Sequence, residues 1–298
     1  MSDPVIQPGP QFSIVIPCYN EVDGVAGTLA MIREQLQGAP VYELILVDDG
    51  SIDGTSAKLE AMKLSDPLLR VVHHEQNRGY GAALKTGIRH AKTDLIVITD
   101  ADGTYPNERI PEMVKIAIED PTVAMVVGAR IAADVQYPLI RRIPKVFLRR
   151  YSSWLSRQDI PDINSGLRVM RREVLEQFLP ILPSGFSFTT TITVAMLTNY
   201  YDVRYVPIGY KARIGKSKIK PIRDTLRFVK LITRTGMYFA PMRVLMPPAA
   251  LLFVAAFASA GYDIYERDLG DKTVLLFMIA MITSMFAMLA DMIDKRNR

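Results

Sequence analysis

Cysteine is nearly absent from this sequence: Cys18 stands alone among 298 residues. A single thiol excludes an intrachain disulfide, and a chain built without one suits a reducing compartment. Histidine is scarce too. His73, His74 and His90 show no metal-ligand spacing and read as structural or surface groups. No Gly-X-Ser-X-Gly elbow occurs, and nothing calls for a serine or cysteine nucleophile. The start of the chain, Met1 to Gln11, is polar and proline-rich and lacks the apolar stretch of a secretory signal; it reads as a mobile tail. Acid is missing from one long segment: between Lys211 and Arg243 the only carboxylate is Asp224. Internal repeats and low-complexity linkers are absent as well.

The residues present are apolar in large part and unevenly spread. Apolar residues make up 49% of the chain, enough for one large core plus an appendage, and the C-terminal fifth is the richest part. The net charge of +5 is local in the same way. A basic stretch suits nucleic acid, an anionic membrane surface or phosphate ligands, and the next segment of the chain decides among them. Val244 to Tyr262 and Val274 to Ala290 are uncharged runs without a polar face. Each is near the ~17–25 residues that span a bilayer, which argues against both a buried soluble hairpin and nucleic acid as the partner. Pro247-Pro248 is expected to kink or begin the first helix. The loop between the runs carries Asp263, Glu266, Asp268 and Asp271 against Arg267 and Lys272, and Lys and Arg dominate both outer flanks. The positive-inside rule then puts both ends, and the part before them, on the cytoplasmic side. Ile222 to Ala240 places Leu226, Val229, Thr233 and Met237 on one helical face and Arg223, Arg227, Lys230 and Arg234 on the other, the pattern of a helix lying in a membrane interface.

The first half alternates strand and helix signals. Strands are expected at Ser13–Pro17, Val41–Val47, Leu69–His73, Asp94–Thr99 and Val123–Val127, with helices at about Val25–Leu36, Asp53–Met62, Gly79–Ala91 and Pro111–Ile118. That order implies an α/β fold with a mostly parallel sheet. Ligands of such sheets bind beyond the carboxyl ends of the strands. Polar clusters fall at those ends: Pro17-Cys-Tyr-Asn-Glu21, Asp48-Asp-Gly-Ser51 and Asp100-Ala-Asp-Gly103. Residues 130–220 are less regular.

Asp100 and Asp102 are suited to a hard divalent cation, Mg²⁺ or Mn²⁺, which bridges diphosphate oxygens. Asp48 and Asp49 are acceptors for base or ribose donors, with Ser51 or Asp53 expected to cap the next helix. Asn77-Arg-Gly-Tyr-Gly81 resembles a dinucleotide fingerprint but has Leu84 where the third glycine belongs. It still suits a loop beside phosphate, with Lys85 one turn into the helix.

Together these stretches resemble a family 2 glycosyltransferase of the GT-A fold. The matching segments are Ser13-Ile-Val-Ile-Pro-Cys-Tyr-Asn-Glu21, Val47-Asp-Asp-Gly-Ser-Ile-Asp-Gly-Thr55, Asn77-Arg-Gly-Tyr-Gly-Ala-Ala83 and Asp100-Ala-Asp-Gly103. Asn164-Ser-Gly-Leu-Arg168 and Arg213-Ile-Gly-Lys-Ser-Lys218 are similar to polyprenyl-phosphate glycosyltransferases, the group that includes dolichyl-phosphate mannose synthases. The resemblance implies a GT-A domain over residues 12–220 after a tail at 1–11, an amphipathic helix at 221–242, two membrane helices within 243–293 and a basic tail at 294–298. It implies that Pro17, Tyr19, Glu21, Asp48, Asp49 and Lys85 hold the nucleotide sugar, GDP- or UDP-linked, together with Asp100 and Ala101. Asp100 and Asp102 would form the metal and diphosphate site. Arg130, Arg141, Ser217 and Lys218 would bind the acceptor phosphate, with Arg168 completing the cationic pocket. Where many relatives carry a polar ligand two residues after the second Asp, this chain has Thr104, a poorer third ligand.

The implied reaction is inverting transfer of a hexose-type sugar to undecaprenyl or dolichyl monophosphate. That phosphate has a second pKa of about 6, so a general base is dispensable. Asp162 is the nearest candidate for one. A processive polysaccharide synthase is the alternative, but its Gln-X-X-Arg-Trp motif is missing around Trp154. A catalytically silent membrane scaffold is the other, and the Asp pair argues against it. A homo-oligomer, the sugar and the base stay open.

Overall fold

The computed structural model describes residues 11–38, 42–66, 68–131, 149–209, 221–267 and 270–296. Arg141, Ser217 and Lys218 lie outside them, as do the side chains of Arg223, Leu226 and Arg227. Strands β1 (Phe12–Cys18), β2 (Tyr42–Asp48), β3 (Leu69–His73), β4 (Leu95–Ile98) and β5 (Val123–Ala129) alternate with helices α1 (Val25–Gln35), α2 (Thr55–Leu64), α3 (Tyr80–His90) and α4 (Ile110–Glu119). These match the expected elements to within a few residues. Residues 149–156 are helical (α5), followed by β6 (Arg168–Arg171), α6 (Arg172–Phe178), α7 (Phe188–Thr198) and β7 (Asp202–Pro207). The sheet has seven strands in the order β3-β2-β1-β4-β6-β5-β7. All neighbours run parallel except β6, which is antiparallel to β4 and β5.

Both faces of the sheet are covered, so the strands read as continuous apolar runs rather than alternating ones. Val15, Ile45, Val47, Ile96, Ile98 and Val127 face the side packed by α3 and α5 to α7. Ile14, Ile16, Leu44, Leu46, Val97 and Val126 face α1 and α4. Gly87 lets α3 lie against the sheet: a Cβ there would sit 2.3 Å from Val15 Cγ1 and 3.2 Å from Val47 Cγ2. The thiol of Cys18 ends β1 inside the second cluster. Burial, then the charges of Glu21 and Asp48, push it far above the ordinary thiol range.

Strand direction fixes where the polar residues go. The parallel strands β1, β2, β3 and β4 all end at one edge of the sheet, with Cys18, Asp48 and His73 in register there. Strand β5 ends at the same edge, and the antiparallel β6 begins there at Arg168. Loops after five strands and the loop before a sixth therefore converge.

Helix α8 (Pro221–Phe239) does not lie with its apolar face outward. Ile232 and Phe239 are buried and Val229 is packed in the first core cluster. Thr233 Oγ1 lies 2.9 Å from Tyr151 Oη. Lys230, Arg234, Met237 and Tyr238 face out. Among the described side chains, Val229 and Thr233 of the expected membrane face are thus turned to the domain, while Met237 of that face points outward.

Helices α9 (Pro241–Glu266) and α10 (Asp271–Arg296) form a hairpin. Pro247 and Pro248 sit inside α9; the helix begins at another proline, Pro241. Ala249 and Ala256 on α9 and Ala280 and Ala287 on α10 are fully buried, and such small residues let helix backbones approach closely. Asp263 Oδ2 accepts from the Gly270 amide at 3.0 Å and from Thr273 Oγ1 at 2.6 Å, closing the turn. Both helices are long and apolar enough to cross a membrane, and only 11% and 17% of their most apolar stretches are buried by protein. A core hairpin of a soluble protein would be mostly buried.

Candidate active site

The loops after β1 and β2 are stitched to each other. Asn20, at φ +56°, gives its amide to Ser51 Oγ (3.0 Å) and takes the Ile52 amide on Oδ1 (2.9 Å). Glu21 donates its amide to Thr55 Oγ1, and Val22 to Asp53 Oδ2. Helix α2 starts from Gly54 with no side-chain cap, so neither Ser51 nor Asp53 takes the expected capping place; Asp53 Oδ1 instead accepts the Thr55 amide. Pro17 lies within β1, Tyr19 is exposed just beyond it, and Glu21 is half-buried.

Asp48 and Asp49 are consecutive, so their side chains diverge, and each takes a histidine. Asp48 accepts from the Ser51 amide (3.0 Å), from Ser56 Oγ and faces His73 Nδ1 at 3.1 Å. Burial alone would raise its carboxyl; these hydrogen bonds outweigh that and hold it below the usual range. Burial likewise lowers His73, but Glu60 and Asp48 outweigh it and raise the imidazole above its ordinary value. Asp49 is buried and accepts the amides of Arg78 (2.9 Å) and Gly79 (2.8 Å), with His74 Nδ1 at 2.7 Å. Much of the acceptor capacity expected for base and ribose is thus spent on ordering the loop before α3. His90 Nδ1 faces the Thr86 carbonyl at the far end of that helix.

That loop leads to Asp100 and Asp102, the carboxylates expected to hold a metal. Gly79 has φ +97°, and a Cβ on it or on Gly81 would strike the backbone of Ser184 or Pro183. Tyr80 donates its hydroxyl to Asp100 Oδ1 at 3.0 Å. Burial, then the Asp100 charge, holds its phenol well above the ordinary range. Lys85 turns away to the Leu182 carbonyl, which places it on the loop behind α3. Asp102 Oδ1 accepts both the amide (3.2 Å) and the hydroxyl (2.7 Å) of Thr104. Thr104 is buried, and its hydroxyl proton is committed to Asp102. Ala101 is buried between the two carboxylates, and its carbonyl accepts from Thr28 Oγ1.

Gly166 comes up beneath this pair. Its amide donates to Tyr105 Oη at 2.6 Å, and a Cβ there would lie 3.1 Å from both carboxylate oxygens of Asp100. Among the described residues no group of three or more His, Cys, Asp and Glu comes together as a metal site. Two hard carboxylates beside a side-chain-free backbone nevertheless fit Mg²⁺ or Mn²⁺, ions that use one or two carboxylates and complete their shell with substrate phosphate and water.

Arg130 follows β5 and meets Asp162. Its Nε and Nη2 form a fork on Asp162 Oδ2 (2.6 Å) and Oδ1 (2.9 Å), and its amide donates to Oδ2 at 3.1 Å. Asp162 Oδ1 also takes the Asn164 amide. Four donors fill an ionised carboxylate, and Asp162 is buried, so it is not set up to remove a proton. Arg168 is wholly buried. It reaches the carbonyls of Ser165 (2.8 Å) and Ile163 (2.9 Å) and Thr193 Oγ1 (2.6 Å), so it shapes the 162–167 loop from below. Sequence reasoning missed Tyr80, Tyr105 and Gly166, while His74, read as structural, does support Asp49. Only Tyr80 and Gly166 had a signal, since both stand inside the motifs that carry the family resemblance.

A seven-stranded mixed sheet with helices on both faces is a GT-A-like architecture. The family model for Glycosyl transferase family 2 matches residues 13–179, and that for the GtrB C-terminal hairpin matches residues 240–295. This chain belongs to glycosyl transferase family 2. Polyprenol monophosphomannose synthase of Mycolicibacterium smegmatis is 30% identical over 72% of this chain and 83% of its own length. Dolichyl-phosphate hexose transferase of Haloferax volcanii is 30% identical over 74% and 92%. Undecaprenyl-phosphate 4-deoxy-4-formamido-L-arabinose transferase of Pseudomonas fluorescens is 31% identical over 85% and 70%. Among solved structures, glucosyl-3-phosphoglycerate synthase of Mycobacterium tuberculosis, crystallised with Mn²⁺, UDP and phosphoglyceric acid, superposes with a TM-score of 0.59 at 21% identity, covering 77% of this chain and 78% of that one.

Proposed function

We propose that this protein transfers a hexose-type sugar, with inversion, from a nucleoside diphosphate sugar to a polyprenyl monophosphate at the cytoplasmic face of a membrane. The observation that carries the reading is the Asp100–Asp102 pair, fixed by Tyr80 and Thr104 at the sheet edge of a chain that also carries an apolar hairpin. The names of the polyprenyl-phosphate relatives support the acceptor class.

In this mechanism Asp100 and Asp102 would hold a divalent cation, which would supply positive charge to offset that of the diphosphate leaving group. The loops of Pro17–Glu21, Asp48–Asp49 and Asn77–Gly79 bind and orient the nucleotide. An oxygen of the lipid phosphate attacks the anomeric carbon as the bond to the diphosphate breaks, and the nucleoside diphosphate departs. A phosphate monoester with a second pKa of about 6 is ionised at neutral pH and needs no base, which accords with a fully engaged Asp162. Arg130, set by Asp162, and Arg141, Ser217 and Lys218 bring the second anion to the site. Trp154, Tyr200 and Tyr238 are exposed, and Arg243 in the first turn of α9 reaches the Leu155 carbonyl and, at 3.5 Å, the Tyr200 hydroxyl. Aromatic rings of this kind favour headgroup depth.

The test is incorporation of radiolabel from GDP-mannose, UDP-glucose and UDP-N-acetylglucosamine into vesicles holding undecaprenyl or dolichyl phosphate, with Mg²⁺ or Mn²⁺. Label in lipid that Asp102→Ala reduces by at least about 100-fold supports the reading. No label in lipid from any donor sinks it and favours a silent scaffold.

A further inference from the structure

Tyr80 ends the loop that Asp49 orders, and it opens α3. Its hydroxyl donates to Asp100 Oδ1 at 3.0 Å, while its ring is stacked on Phe186 at 5.5 Å between centroids and 17° between planes. Phe186 belongs to the loop between α6 and α7, which is bound to the same place twice more. The Ser184 carbonyl accepts the Ala82 amide at 3.0 Å, and Gly79 and Gly81 give that loop its close approach. The phenol is therefore held from behind by a wall of backbone and an aromatic ring, with its hydroxyl aimed at one carboxylate oxygen. A leucine or phenylalanine would pack against Phe186 equally well; only the tyrosine reaches Asp100.

We propose that Tyr80 is a positioning residue for the donor cation: it fixes the rotamer of Asp100 before metal and nucleoside diphosphate arrive, and joins the loop ordered by Asp49 to the metal carboxylates. This rests on the reading of Asp100 and Asp102 as the cation site. A hydrogen bond to a carboxylate lost from such a site reduces binding by about tenfold. The rest of the pocket, including the stacked Phe186, is untouched by Tyr80→Phe.

The experiment measures Mn²⁺ binding by electron paramagnetic resonance on the full chain in detergent micelles, in separate arms with GDP and with UDP, for wild type, Tyr80→Phe and Asp102→Asn. The expected result is tight Mn²⁺ binding by wild type in one arm and an apparent Kd about tenfold higher for Tyr80→Phe, with an unchanged thermal midpoint. Transfer activity of Tyr80→Phe is expected to recover as Mn²⁺ is raised, since the substitution weakens affinity alone. Equal Mn²⁺ affinity in wild type and Tyr80→Phe overturns the role of Tyr80 alone. If wild type binds no more Mn²⁺ than Asp102→Asn in either arm, the cation site itself is wrong and the inference falls with it. A lowered thermal midpoint at unchanged affinity assigns Tyr80 a packing role only, and also overturns it.

Discussion

Asp100 has a phenol on one side and a bare backbone on the other, and the bare side is as consequential. A Cβ on Gly166 would stand 3.1 Å from both Asp100 oxygens and 3.2 Å from the Tyr105 ring. Gly166 needs no positive φ, so alanine fits the backbone and the carboxylate has to give way. Gly166→Ala is expected to lower kcat/KM by about tenfold with little change in thermal midpoint, measured by steady-state kinetics beside a melting curve. His73 makes a different prediction, about pH. Its folded-state pKa is raised, so its contribution to stability is complete below the unfolded value of about 6.5 and disappears as pH rises through the folded value. The melting temperature of wild type should exceed that of His73→Asn below that pH, and the gap should close above it. The gap is small, because His73 and Glu60 are both exposed enough for water to screen them.

At the scale of elements, helix α3 depends on a single missing methyl group. Gly87→Ala would push a Cβ into Val15 Cγ1 in the centre of the sheet, and overpacking of this kind costs about 1–3 kcal/mol. Urea denaturation should show that loss at an unchanged slope. The elements up to β5 were legible because their strands are apolar runs bounded by polar strand ends, and those ends gather at the candidate site. The elements beyond β5 were not. Strand β6 has only 4 residues and begins with an arginine whose charge is buried, so no alternation marks it. Helix α7 is worse for propensity: Phe188–Thr198 is rich in β-branched residues that read as strand or loop. Burial on every side overrides that preference, and Thr193 and Thr198 satisfy their hydroxyls on the carbonyls of Thr189 and Val194. Within the site, the Asp pair could be read from sequence. That Arg130 is matched to Asp162, and that Lys85 faces Leu182, depends on long-range packing that residue spacing does not encode.

The whole molecule joins the sheet edge proposed to bind the donor to a hairpin through α8, which is docked by Ile232 and Phe239 and shows Lys230 and Arg234 outward. This geometry lets the domain rest on an anionic surface without surrendering its core. Trp154 is the only tryptophan in the chain and is exposed on α5, stacked on Tyr151. Its fluorescence therefore reports that face alone. Emission should shift to the blue in proteoliposomes and be quenched more by lipids brominated near the headgroup than by lipids brominated near the chain ends. Unquenched emission at the wavelength of a water-exposed indole would place α5 away from the bilayer.

Cys18, buried at the end of β1 with its thiol held in the protonated form, has a practical consequence for mapping sidedness. Maleimides react with thiolate, so the folded protein behaves as a cysteine-free background without any substitution. A cysteine introduced by Glu266→Cys at the C-terminal end of α9, beside the turn to α10, would be the one reactive thiol on the molecule. An impermeant maleimide applied to intact cells should label it from outside, if both ends of the hairpin face the cytoplasm.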